Sequence, residues 1–219
     1  MSKPPFNIVI PIYNGVDLMD VAAPHEMFMW MNSYWDRTVK VTLAAAAKKT
    51  IETRDKFKIV PNTTFDACYK RKFKADLIWV PGGDLKPLKK MMSNADYLGF
   101  LKKQSETAAW VTSVCEGALL LASAGLLDGY KATTHWAFIP CLKEFPNVKV
   151  AKGFPRYVVD RNRVTGGGIS SGLDEALKII SLISSDDIAK QVQLVTQYFP
   201  RPPKGKITGS DKCPLNSKS

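Results

Sequence analysis

The residues most able to do chemistry lie between Ala108 and Ala124, A-A-W-V-T-S-V-C-E-G-A-L-L-L-A-S-A. Trp110 to Val114 reads as a buried strand, and a run of helix formers begins at Glu116 directly after Cys115. Strand, one residue of turn and helix is the layout of a nucleophile elbow, here with cysteine at its apex. A thiol at the first turn of a helix meets the positive end of the helix dipole and unpaired backbone N–H groups, both of which favour thiolate. Gly117 supplies the small residue that such a tight turn requires. The segment alone is equally compatible with a buried structural cysteine.

Further candidates follow from their placement. Pro81-Gly82-Gly83 ends the apolar run Asp76 to Val80. Without side chains, Gly82 and Gly83 let a substrate approach the backbone, and with the Glu116 N–H they could form an anion-stabilising hole beside the sulfur. A plain strand-to-helix turn accounts for the same pair. Asp17 and Asp20 open the first helix, where aspartate complements the dipole. Asp17 is assigned that role, whereas Asp20 reaches the elbow if the two loops are adjacent, and Glu26 ranks below it. His135, in T-T-H-W, is either a base, a pocket wall or a helix cap, and His25 reads as a surface or helix-packing residue.

The elements that must position these groups alternate. Strands are expected at 7–13, 39–46, 59–61, 76–80, 110–114, 131–133, 148–150, 157–160 and 164–166, with a hairpin turn at Arg161-Asn162. Helices are expected at 17–31, kinked or restarted at Pro24, and at 96–107, 116–124, 136–144, 171–183 and 185–198. Apolar strands alternating with helices predict an α/β fold with a mostly parallel sheet covered on both faces. In such sheets the site lies beyond the carboxyl ends of the strands, the edge shared by Asn14-Gly15, Pro81-Gly82-Gly83 and Cys115. One domain is expected over residues 1–199, with an irregular Pro-, Gly- and Lys-rich tail at 200–219.

The 219 residues are 45% hydrophobic and 23% charged, ordinary values for a soluble globular domain. No apolar run suffices to span a bilayer, and the N-terminal residues lack a signal-peptide core, so no membrane association and a cytoplasmic location are expected. The net charge of +11 comes mostly from lysines set beside apolar positions rather than interleaved with aromatics, which reads as a solvated surface and no nucleic-acid partner. Cys68, Cys115, Cys141 and Cys213 form no C-x-x-C pair and only two histidines exist, so neither a metal nor a disulfide is expected.

The combination of P-G-G after a buried strand, S-V-C-E-G-A-L-L-L-A-S-A-G-L-L-D-G-Y-K-A-T-T-H-W and R-N-R-V-T-G-G-G-I-S-S-G-L-D resembles the ThiJ/PfpI superfamily, and within it the isocyanide (isonitrile) hydratases. L-M-D-V-A-A-P-H-E-M-F and V-Q-L-V-T-Q-Y extend the resemblance over nearly the whole chain before the tail. It implies a flavodoxin-like three-layer sandwich, a homodimer, a small-molecule substrate and no cofactor. It implies Cys115 as nucleophile and Asp20 as its acid/base partner, with Gly82, Gly83, Glu116 and Ile169 round the pocket and His135 and Trp136 nearby. One position departs: isocyanide hydratases commonly carry Thr after the nucleophile, and this chain has Glu116. The protease and glyoxalase-like branches place His there, so its absence argues against both.

Isocyanide hydration is therefore the leading expectation. A redox sensor built on an oxidisable Cys115 is the second, and another small-molecule hydrolase or lyase of the superfamily stays open. The ligand-binding domain of an AraC-type regulator ranks last, since no segment after the last helix reads as a helix-turn-helix.

Overall fold

A computed structural model describes residues 3–201, 207 and 209–216. Its centre is a seven-stranded sheet made of β1 (Phe6–Pro11), β2 (Val39–Ala45), β5 (Thr63–Thr64), β6 (Leu77–Val80), β7 (Trp110–Ser113), β10 (Tyr157–Asp160) and β11 (Arg163–Gly166). The spatial order is β10-β11-β7-β6-β1-β2-β5, and every neighbouring pair is parallel except β10 with β11. β6 is apolar throughout, and β1 is apolar except for Asn7, because both faces of the sheet are covered: Ile8, Val9 and Ile10, and Leu77 to Val80, are fully buried. This is the expected α/β sandwich. The expected hairpin is β10–β11, with Arg161 at φ 55 in its turn.

Helices cover the sheet in two groups. α1 (Leu18–Trp30) packs on α7 (Ser171–Ile183), which packs on α8 (Asp186–Val195); α4 (Ala95–Ser105) packs on α5 (Gly117–Ser123), and α5 on α6 (Ile139–Leu142). α1 runs through Pro24 without a break. Among the described residues no helix is long and apolar enough to cross a membrane.

Several elements differ from the sequence reading. The short helices α2 (Phe65–Lys70) and α3 (Leu85–Met91) and the two-residue strands β3 (Ile51–Glu52) and β5 were not expected. They are too short to display a hydrophobic period; α2 and α3 are marked instead by caps, Thr64 accepting from the Ala67 N–H and Asp84 from the Leu85 N–H. β4 (Lys58–Ile59) replaces the expected 59–61 and pairs with β3 outside the main sheet. β8 (Lys131–Ala132) and β9 (Lys149–Val150) likewise form their own pair.

The cysteine reading needs a correction. Cys141 on α6 and Cys213 form a disulfide, with Cα atoms 4.7 Å apart. A separation of 72 residues leaves no local trace, and only the return of the chain past α6 brings the two together. This also gives order to part of the expected tail, where Pro214–Asn216 forms a 3₁₀ turn. Residues 202–206, 208 and 217–219 of that tail lie outside the described residues.

Candidate active site

The site is assembled where the chain reverses direction along the sheet, between β1 and β6. The loops after these strands are laced together: the Asp17 N–H donates to Gly82 O at 3.2 Å, the Asp84 N–H donates to Gly15 O at 2.8 Å, and Val16 bridges Gly83. Glycine is required at the contact, because a Cβ on Gly83 would lie 2.5 Å from Gly15 O. Gly82 is equally confined, since its Cβ would lie 2.8 Å from the Glu116 nitrogen and 2.9 Å from Cys115 Cβ. The P-G-G turn therefore lies directly against the elbow.

At the elbow, Cys115 has φ 56, in the left-handed region. A non-glycine residue there costs about 1–3 kcal/mol, which the surroundings must overcome. Three contacts do so: the Cys115 N–H donates to Gly167 O at 2.9 Å, the Thr134 hydroxyl donates to Cys115 O at 2.7 Å, and the Val114 N–H donates to Val80 O at 3.1 Å. Gly117 packs so closely on the Val80 carbonyl that no side chain fits.

Asp20 is 1% exposed, with Oδ2 accepting the Gly82 N–H at 2.9 Å and Oδ1 buried without a partner. Its backbone carbonyl accepts from the Trp79 indole at 2.9 Å, which fixes the first turn of α1 against β6. The Glu116 carboxyl accepts the Gly83 N–H at 3.3 Å and the Cys115 thiol. The ligating atoms of Asp17, Asp20, Cys115 and Glu116 all lie within 4.8 Å of one another, and all four residues are buried. Such a mixed sulfur and carboxylate set could also hold a cation, although no ligand spacing in the sequence announces it.

This geometry changes the role expected of the glycines. Their N–H groups do not line an open anion hole; both are taken by the protein's own carboxyls. Asp17 is more than a dipole partner, because it joins the cluster and pairs with Arg54 at 3.3 Å.

Burial dominates the electrostatics. It holds the Asp20 carboxyl well above the usual range, helped by Glu116 and Asp17. It raises Glu116 to about 7. It also pushes the Cys115 thiol up, reinforced by Asp20 and Glu116, while the Ile169 N–H acts the other way. The dipole argument alone favoured thiolate, whereas desolvation beside two acids favours the thiol.

The remaining expected residues divide. His135 Nδ1 accepts the Ala137 N–H at 3.2 Å, and burial keeps the ring neutral. It caps a turn and, with Trp136, Gly168 and Ile169, lines a cavity of about 350 Å³. Ile169 also borders a second cavity, about 610 Å³, together with Asp17, Met19 and Arg54. Neither His25 nor Glu26 joins the acidic cluster. Thr134, Arg54 and the fully buried Glu175 were missed; only Thr134 had a signal, its place in T-T-H-W.

The sequence matches the DJ-1/PfpI family over residues 7–182. The chain belongs to that family. It is 34% identical over 198 residues to the isonitrile hydratase of Pseudomonas putida, covering 88% of this chain and 78% of that protein. A ThiJ/PfpI family protein from Pseudomonas syringae superposes with a TM-score of 0.81 at 32% identity, covering 93% of this chain and 79% of the other. Drosophila melanogaster DJ-1beta gives a TM-score of 0.74 at 20% identity over 90% of this chain and 98% of its own, a likeness of fold.

Proposed function

We propose that this protein hydrates an isocyanide, R–N≡C, to the N-substituted formamide through a covalent intermediate on Cys115. The observation that carries this reading is the partnering of the two glycine N–H groups. With Gly82 and Gly83 committed to Asp20 and Glu116, the site offers no open hole for the oxyanion of acyl transfer. It offers instead a buried, protonated carboxyl beside a thiol. A neutral substrate whose carbon must first take a proton fits that arrangement, and an isocyanide carbon is such an atom. The similarity to a protein named isonitrile hydratase supports the same chemistry.

The steps balance as follows. Asp20 delivers its proton to the terminal carbon, while the Glu116 carboxylate takes the Cys115 proton and the sulfur bonds to that carbon. The product is a thioimidate, R–N=CH–S–Cys115. Asp20, now a carboxylate, draws a proton from water as the oxygen adds to the same carbon, and Glu116 returns its proton to the nitrogen. The C–S bond then breaks as Asp20 gives its proton to the sulfur and takes the hydroxyl proton from the forming carbonyl, and the formamide leaves. Each carboxyl ends as it began, which is general acid–base catalysis coupled to covalent catalysis. Glu116, the position that departs from the hydratase pattern, thereby acts as base for a thiol whose protonated form burial favours.

The redox-sensor reading needs a thiol ionised at rest. Burial of Cys115 beside Asp20 and Glu116 acts in the opposite direction. A homodimer belongs to the proposal, supported by the apolar side chains that α1 and the β3–β4 hairpin leave outside, Met19, Met29 and Phe57.

The test is formamide production from cyclohexyl isocyanide by the wild type, Asp20→Asn and Cys115→Ala. Turnover in the wild type that is lost in both variants is expected. A Cys115→Ala protein that still forms formamide would sink the proposal.

A further inference from the structure

A third cavity, about 490 Å³, has Tyr13 in its wall and no residue of the cysteine cluster in its lining. It opens beyond the carboxyl ends of β1 and β2, on the other flank of the point where the strand order reverses. Parallel sheets bind ligands at that edge, and the volume is in the range of small-molecule pockets. Its floor is apolar and aromatic: Ile12, Phe65, Met91 and Tyr97 line it, with the Tyr13 ring edge-on to Tyr97 at 5.6 Å.

The polar side chains at its mouth share one property. Lys86 and Lys90 are exposed cations with no ion-pair partner among the described residues. Asn14 and Asn94 have their side-chain oxygens occupied, accepting the Glu52 N–H at 2.9 Å and the Tyr97 N–H at 2.8 Å, so each presents its amide NH₂ as donor. No carboxylate lines the cavity. An apolar chamber rimmed only by donors and positive charge selects a ligand with a hydrocarbon body and an anionic end.

We infer that this cavity is a second ligand site, distinct from the cysteine site, for a small monocarboxylate with an aliphatic or aromatic body. The body lies against Phe65, Met91 and Tyr97, and the carboxylate meets Lys86 and Lys90. The Tyr13 ring is the wall shared with the catalytic loops: its hydroxyl is buried without a partner, on the side where a Cβ on Gly83 would lie 2.8 Å away. The assignment is independent of the isocyanide reading.

The experiment is calorimetric titration of the full chain with decanoate, below its micelle concentration, and with the neutral decanamide. Saturable binding of one decanoate per chain is expected, with decanamide at least tenfold weaker. Lys86→Gln with Lys90→Gln should weaken decanoate at least tenfold, and Met91→Trp, which fills the chamber, should abolish binding. Cys115→Ala should bind as the wild type does. Circular dichroism establishes that each variant is folded; the two lysines are exposed, so their replacement leaves the core untouched. Absence of saturable binding, equal affinity for decanoate and decanamide, or equal decanoate affinity in the wild type and the cavity variants would overturn the inference.

Discussion

The Gly82 N–H donates to Asp20 Oδ2 at 2.9 Å, while the other oxygen of the same carboxyl is buried with no partner. One oxygen is thus fixed and the other left without a partner, in a carboxyl that belongs to the Cys115 cluster. Asp20→Asn preserves the shape and the acceptor oxygen but removes the transferable proton. Its kcat is expected to fall about 10²–10⁴-fold, the usual contribution of a positioned acid or base. The melting temperature should hold or rise, since a buried acid is replaced by a neutral isostere. Unchanged kcat in a folded Asp20→Asn protein would remove Asp20 from the mechanism.

The pH profile follows from the two carboxyls. Glu116 must be ionised to take the thiol proton, and burial places it at about 7. kcat/KM therefore rises as pH increases through about 7. Asp20 must hold its proton, and burial raises it well above the ordinary carboxylate range, so the rate falls again once it ionises. The profile is a bell. Glu116→Gln should lower the rate and erase the acid-side limb while retaining the alkaline one. An acid-side limb that survives in Glu116→Gln would assign it to another group.

Glu175 makes a stability prediction with the same physics. It is fully buried on α7, and neither oxygen has a hydrogen-bond partner. Burial holds its pKa well above the ordinary 4.5. The folded state binds this proton more tightly than the unfolded chain does, so its contribution to stability is intact below about 4.5 and is lost as pH rises toward the folded value. Each pH unit crossed costs about 1.4 kcal/mol, and a chain of this size loses about 2–4 °C per kcal/mol. Glu175→Gln should flatten the fall of Tm as pH rises above about 4.5. Parallel Tm–pH curves for the two proteins would refute the assignment.

Much of the site was legible because its elements are local. Trp110 to Ser113, Cys115 and Gly117 fall within one stretch of eight residues, so an apolar run, a turn and a helix could be read together. The P-G-G turn was visible for the same reason. What the glycine N–H groups bind was not, because Gly82 meets Asp20 across 62 residues and Gly83 meets Glu116 across 33. The surroundings of the thiol were legible only in part: the helix dipole belongs to the local sequence, whereas burial beside Asp20 and Glu116 belongs to the assembled fold. Glu175 sits in an amphipathic helix, where a glutamate ordinarily faces water, and only packing against Gly166 reveals it as buried.

The Cys141–Cys213 bridge closes a loop of 72 residues and fastens the end of the chain to α6. Nearby contacts are weak by comparison: the Lys89 ammonium donates to Leu215 O at 3.4 Å, and the Asn216 amide donates to Glu144 at 2.7 Å in exposed surroundings. Loop closure of this length stabilises by at most about 4 kcal/mol through the unfolded chain. The gain is smaller if the segment beyond Pro200 detaches independently of the sheet, because the bridge then restrains little of the core's unfolding. Reduction, or Cys213→Ser, is thus expected to lower Tm by several degrees while leaving isocyanide turnover within about twofold, as neither sulfur belongs to the Cys115 cluster. Non-reducing peptide mapping should recover the two cysteines in one cross-linked peptide and Cys68 and Cys115 as free thiols. An unchanged Tm with the cross-linked peptide present would mean that the bridge secures only the tail; absence of the cross-link would remove the bridge altogether.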